Sequence, residues 1–229
     1  MSFSFDTKPY IAVIGDIIES KKLEDRFEIQ IKLKNVLEYV NNRYAKDIES
    51  KFMITLGDEF QGLLKTGDYI IDLIEYIQIS MFPVQIRFGI GIGKIETEIN
   101  RQVPFGADGS AYHNARNMIN DLKKSEKKNK MSSANIMIAS DGDHEDPVLL
   151  INTILSLCTA IRQNWTDLQR EVAFDCILNG DNQREVAMRL NTIQSSVQRA
   201  LSNADYYSYK RAMDIVSKTL SEIKVNPDV

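Results

Sequence analysis

Two apolar runs in this chain end in the same Gly-Asp step, with a stretch of helical pattern between them. The first is Tyr10-Ile11-Ala12-Val13-Ile14-Gly15-Asp16. The second is Phe52-Met53-Ile54-Thr55-Leu56-Gly57-Asp58, followed by Glu59-Phe60-Gln61-Gly62-Leu63-Leu64. Short runs rich in β-branched and aromatic residues read as buried strands. Gly57-Asp58 tolerates the positive φ of a tight turn, so residues 51–64 read as a hairpin. If the two strands pair, Asp16 and Asp58 meet at one edge of a sheet. Neighbouring carboxylates repel unless a cation lies between them, and a hard divalent cation prefers oxygen ligands. A single Asp at a strand end is an ordinary turn residue; the matched pair is what points to a metal-dependent nucleotide site.

The rest of the first half fits this frame. A helix is expected over about 23–44, with Phe27, Ile31, Leu33, Leu37 and Val40 mainly on one face. A second covers about 68–80, and Pro83 stops it. The strand 84–93 alternates Gly89, Gly91 and Gly93 with Phe88, Ile90 and Ile92. That gives it one bare face for a packed helix or a ligand. The order β-α-β-β-α-β predicts an α+β, ferredoxin-like antiparallel sheet with helices on one face. A further helix over about 111–123, a basic loop from Lys123 to Lys130 and a strand at 135–139 follow. Ser140 to Pro147, with His144 among carboxylates, reads as a solvated linker with a weaker option of metal binding. The expected division is 1–145 and 146–229.

The second part reads as all-α. Helices are expected over about 147–163 and 165–178, the latter stopped by Asn179-Gly180. A helix-turn-helix covers about 182–204. Val186, Ala187, Leu190, Ile193, Val197 and Leu201 have the spacing to fill its core, and Gln194, Ser195, Gln198 and Arg199 form the exposed face of its second helix. Gln and Arg suit base edges and phosphates. Charge gives no such signal: the net charge is −4, and from Arg162 onward nine basic residues face nine acidic ones. Cys158 and Cys176 lack metal-ligand spacing and read as buried thiols. No apolar run approaches the roughly 20 residues that span a bilayer, and the N-terminus lacks a signal-peptide pattern. No membrane partner and a cytoplasmic location are therefore expected.

The first half resembles the palm domain of nucleotidyl cyclases and GGDEF-type diguanylate cyclases. Leu56-Gly57-Asp58-Glu59-Phe60 differs from GGDEF in its first residue, and Tyr112-His113-Asn114-Ala115-Arg116 is similar to the cyclase helix that carries a phosphate-stabilising Arg. As a whole the chain resembles the SatD family. Gly15-Asp16-Ile17-Ile18-Glu19-Ser20, Leu56 to Gly62, Arg87-Phe88-Gly89-Ile90-Gly91 and Asp108 to Arg116 carry that likeness. The cyclase resemblance implies that Asp16, Asp58 and the Ile17 carbonyl hold Mg or Mn on a nucleotide. It implies that Glu59 supports the metal or the base, and that Arg116 reaches the phosphate from a partner chain, hence a homodimer. Tyr112 stands where cyclases place a ribose-orienting Asn, and Phe52 and Phe105 lie near their base-reading positions. Three functions stay open: a DNA-binding regulator with a metal- and nucleotide-binding sensor domain, a metal-dependent cyclase or nucleotidyltransferase, and an inactive interaction module.

Overall fold

The computed structural model describes residues 3–6, 8–104, 106–129 and 134–225, so Phe105 and Lys130 lie outside it. In chain order the elements are β1 (Ser4–Phe5), β2 (Tyr10–Ile17), α1 (Arg26–Arg43), β3 (Ile48–Leu56), β4 (Glu59–Leu64), α2 (Ile70–Met81) and β5 (Ile86–Gly93). They continue with α3 (Ser110–Asn129), β6 (Ile136–Ser140), α4 (Glu145–Gln163), α5 (Asp167–Asn179), α6 (Gln183–Arg189), α7 (Gln194–Asn203), α8 (Tyr206–Ser221) and β7 (Lys224–Val225).

The main sheet has the order β3-β4-β2-β5-β6. Its first four strands are antiparallel and make the ferredoxin-like unit expected from the sequence. β6 joins β5 in parallel, through the crossover helix α3. Gly57, at φ +58°, takes the first position of the two-residue turn between β3 and β4. The expectation of helices on one face is corrected here. Ile11 and Val13 of β2 join the core beneath α1 and α2, whereas Ala12 and Ile14 face α3 on the other side. The pleat sends alternate residues to opposite faces, and both faces are covered. The bare face of β5 takes that helix: a Cβ on Gly91 would run into the Ala111 carbonyl and Ala115 amide of α3.

Other boundaries shift as well. α3 runs on to Asn129, so the basic run from Lys123 forms its last turns rather than a loop. His144 is no solvated linker residue. It is buried against the rings of Phe3 and Phe5, with centroids 5.2 and 4.8 Å away, and its Nδ1 lies 2.7 Å from the Asp141 carbonyl oxygen. On α1, Phe27 is 75% exposed and Ile31 is also exposed, while Leu33, Val36, Leu37 and Val40 are buried.

The helical half shares a continuous apolar core with the sheet, running from Phe3 to Leu220. Trp165 donates its indole N–H to the Ala204 carbonyl at 2.7 Å and packs edge-on against Tyr209. Tyr209 in turn donates to Glu75 on α2 at 2.7 Å. Thr166 and Gln169 form a capping box that starts α5, and Gly180, at φ +93°, ends it. α6 closes in a Schellman motif: Thr192 N–H bonds the Ala187 carbonyl, Asn191 N–H bonds that of Met188, and Asn191 is left-handed at φ +49°. Among the described residues, no helix is long and apolar enough to cross a membrane.

Candidate functional site

Strand register places Glu59, Asp16 and Arg87 side by side across β4, β2 and β5. All three point to the face that α3 covers, because they continue the rows of Leu63, Ala12 and Gly91. From α3, Arg116, Lys123 and Glu126 share the face of Ile119 at helical spacing and reach the same row.

The result is a closed set of ion pairs. Asp16 is only 4% exposed. Its Oδ1 accepts from Lys123 Nζ at 2.6 Å and its Oδ2 from Arg87 Nη1. Arg87 also donates through Nε to Glu126 at 3.0 Å. Arg116 clasps Glu59 with both Nη atoms, Nη2 to Oε1 at 2.6 Å, and that carboxylate raises the Arg116 pKa further. Three acids and three bases thus balance beneath one helix.

Asp16, Ile17 and Asp58 share a groove of about 880 Å³ at this end of the sheet. Ile17 N–H bonds the Asp58 carbonyl at 3.0 Å, and Ser20 Oγ donates to Asp58 Oδ2. Lys21, Lys22, Lys123 and Lys127 line the same groove. Lys22 pairs with Glu19, which holds a left-handed backbone at φ +53°. Among the described residues, Lys21 and Lys127 form no ion pair.

The other candidate residues lie elsewhere. Glu59 and Arg116 pair with each other and do not line the groove. Tyr112, on α3 itself, is buried against Ala12, Ile14 and Leu63, and burial pushes its phenol well above the usual range. Phe52 is in the core, and Asn114 bonds the Ile92 carbonyl and Asp141.

A divalent metal does not fit this arrangement, since both carboxylate oxygens of Asp16 already face cations. Among the described residues, no group of three or more His, Cys, Asp or Glu side chains is placed to hold a metal ion. Sequence reading missed the roles of Arg87 and Lys123. The available signal was the seven-residue step from Arg116 to Lys123, two helical turns on one face.

At the far end of the chain, Gln194, Ser195, Gln198 and Arg199 are all exposed on α7, while Val197, Ala200 and Leu201 are buried. Gln198 Oε1 accepts from Gln183 and from Tyr207 OH, the latter at 3.3 Å. Ile193, expected in the core, is 65% exposed at the start of α7. Arg189 is tied to Asp175 at 2.7 Å, and among the described residues Arg184 and Arg199 form no ion pair. Cys158 and Cys176 are buried, and burial raises both thiols to about 11.

The sheet and its helices thus define an α+β protein with a ferredoxin-like unit, one α3-covered charged face and a helical C-terminal half. The chain belongs to the SatD family, whose family description matches residues 10–220. Among curated proteins, none matches this chain. Solved structures with some likeness include a bacterial light-regulated adenylyl cyclase (13% identity, TM-score 0.41, 57% of this chain and 74% of that one). The guanylyl cyclase Cya2 (13% identity, TM-score 0.36, 49% and 70%) is another. A third is a regulator of polyketide synthase expression from Bifidobacterium adolescentis (9% identity, TM-score 0.27, 93% and 86%).

Proposed function

We propose that this protein is a DNA-binding regulator in which α6 and α7 act as a helix-turn-helix and α7 enters the major groove. The exposed face of α7 carries this reading. Gln194, Ser195, Gln198 and Arg199 face outward from a helix whose opposite side is packed. Gln and Arg side chains match the hydrogen-bonding edges of adenine and guanine, and residues at the N-terminus of such a helix meet the bases. Ile193 gains a role from its exposure: an apolar side chain beside Gln194 suits the thymine methyl group. Arg184 and Arg199, without carboxylate partners among the described residues, supply charge for phosphates despite the balanced composition.

The groove at Asp16 and Asp58 serves, on this reading, as the sensor. Its chemistry favours the phosphates of a nucleotide bound by Lys21 and Lys127 rather than turnover. A regulator of this type requires its ligand to bind the DNA-competent and incompetent states with different affinity.

The test is selection of duplexes from a random library by the full-length protein, followed by affinity measurements. A defined sequence should emerge, and Gln194→Ala should relax preference at one or two positions, by about 1–3 kcal/mol each. Recovery of no preferred sequence, with binding unaffected by changes on α7, would overturn the proposal.

A further inference from the structure

A second cavity, of about 280 Å³, lies where the α2–β5 connection meets α4, α5 and α8. Phe82 and Pro83 form one wall, and Arg162, Arg170 and Phe174 another. The Arg162 guanidinium sits over the Phe174 ring at 5.0 Å, and that of Arg170 over Phe82 at 4.9 Å. The two rings meet edge to face at 5.7 Å. Two cations therefore flank an aromatic pair.

These guanidiniums are short of acceptors. Each has five N–H donors. Arg162 Nη1 bonds the neutral amide of Gln78 at 2.6 Å, and Arg170 Nη2 bonds the Trp165 carbonyl at 2.7 Å. Among the described residues neither forms an ion pair, and Arg170 Nε is shielded from solvent with no hydrogen-bond partner. The lining contains no Asp or Glu. Glu75 influences Arg162 electrostatically without an ion pair, and its carboxylate already accepts from Tyr209. Both arginine side chains are only partly buried, but Arg170 Nε is a shielded donor without an acceptor, and such donors are rare in folded proteins because desolvating them is costly.

We propose that this cavity is a binding site for a small aromatic carboxylate, its carboxylate held by Arg162 and Arg170 and its ring beside Phe82 and Phe174. The carboxylate supplies the missing acceptors in the geometry that guanidinium favours. The apolar and aromatic wall selects a flat ring over a bare anion. A volume near 280 Å³ sits at the small end of ligand pockets and suits a one-ring molecule. The site adjoins the Asp16 groove, sharing Gln85 and Gln163 with its lining, but its aromatic wall and paired guanidiniums give it a different chemistry, and it is independent of the DNA-binding reading.

The experiment is ligand-observed NMR and thermal shift on the full-length protein with benzoate, benzamide and acetate as probes. Benzoate should bind and raise the melting temperature, while benzamide and acetate bind at least about tenfold more weakly. Arg170→Gln should lose about tenfold in benzoate affinity. Arg162→Gln should do the same, and because it leaves the Trp165 carbonyl bonded it serves if the first variant does not fold. Absence of benzoate binding, equal binding of benzamide or acetate, or full affinity in a folded Arg162→Gln protein would each overturn the assignment.

Discussion

Asp16 illustrates how ion pairs can occupy a carboxylate that the sequence offers as a candidate ligand. It lies next to the last residue of β2, at a groove shared with Asp58, and two cations pair with it. The pairs differ in depth. Arg87 is buried and serves both Asp16 and Glu126, so Arg87→Met should destabilise the fold by about 3–5 kcal/mol. Lys123 has a side chain 39% exposed, and Lys123→Met should cost about 1 kcal/mol or less. Urea denaturation of both variants checks the order; equal losses would mean that the network is not centred on Arg87. Glu75 gives a second prediction. Burial raises its pKa above the ordinary 4.5, outweighing the hydrogen bond from Tyr209. Folding therefore favours its protonated form, so stability is present in full below the ordinary value and is lost as pH rises through the folded one. Glu75→Gln should raise the melting temperature at pH 7.5, and the gain should shrink toward pH 4.5. An unchanged gain across that range would contradict this account.

Among the elements, strands and turns with local signatures were legible, and features set by tertiary packing were not. The ferredoxin-like order, the Gly57-Asp58 turn and the stop at Gly180 follow from short-range chemistry. The extension of α3 through the basic run did not, because solvated charges leave no apolar period to read. Nor did cover on the second face of the sheet, although the glycines of β5 made room for it. Ile193 misled by spacing: its place just before α7 turns it outward. The charged row could not be assembled from sequence, because cross-strand register brings Glu59, Asp16 and Arg87 together. The turn before α7 carries its own prediction. Asn191 occupies a left-handed position that glycine tolerates freely and β-branched residues do not. Asn191→Gly should be close to neutral, whereas Asn191→Ile should lose about 1–2 kcal/mol. Thermal melts decide this, and equal stability of the two variants would argue against the Schellman geometry.

On the scale of the whole molecule, the sheet and the helical half are packed into one core, with the charged groove at one end of the sheet and α7 exposed in the helical half. The pairing of Asp16 with Lys123 and Arg87, and of Arg116 with Glu59, argues for ligand binding over nucleotidyl transfer. Incubation with the four NTPs and Mn²⁺ should therefore leave them unchanged by chromatography. A cyclic or linked product lost in Asp58→Ala would instead establish a transferase. The central claim is that α7 reads DNA, and the salt dependence of binding to a selected duplex tests it most directly. The affinity of the full-length protein should fall steeply and linearly on a log–log plot against salt, and Arg199→Ala should reduce that slope by about one. Binding indifferent to salt, or a slope unchanged by Arg199→Ala together with unchanged affinity, would contradict the account.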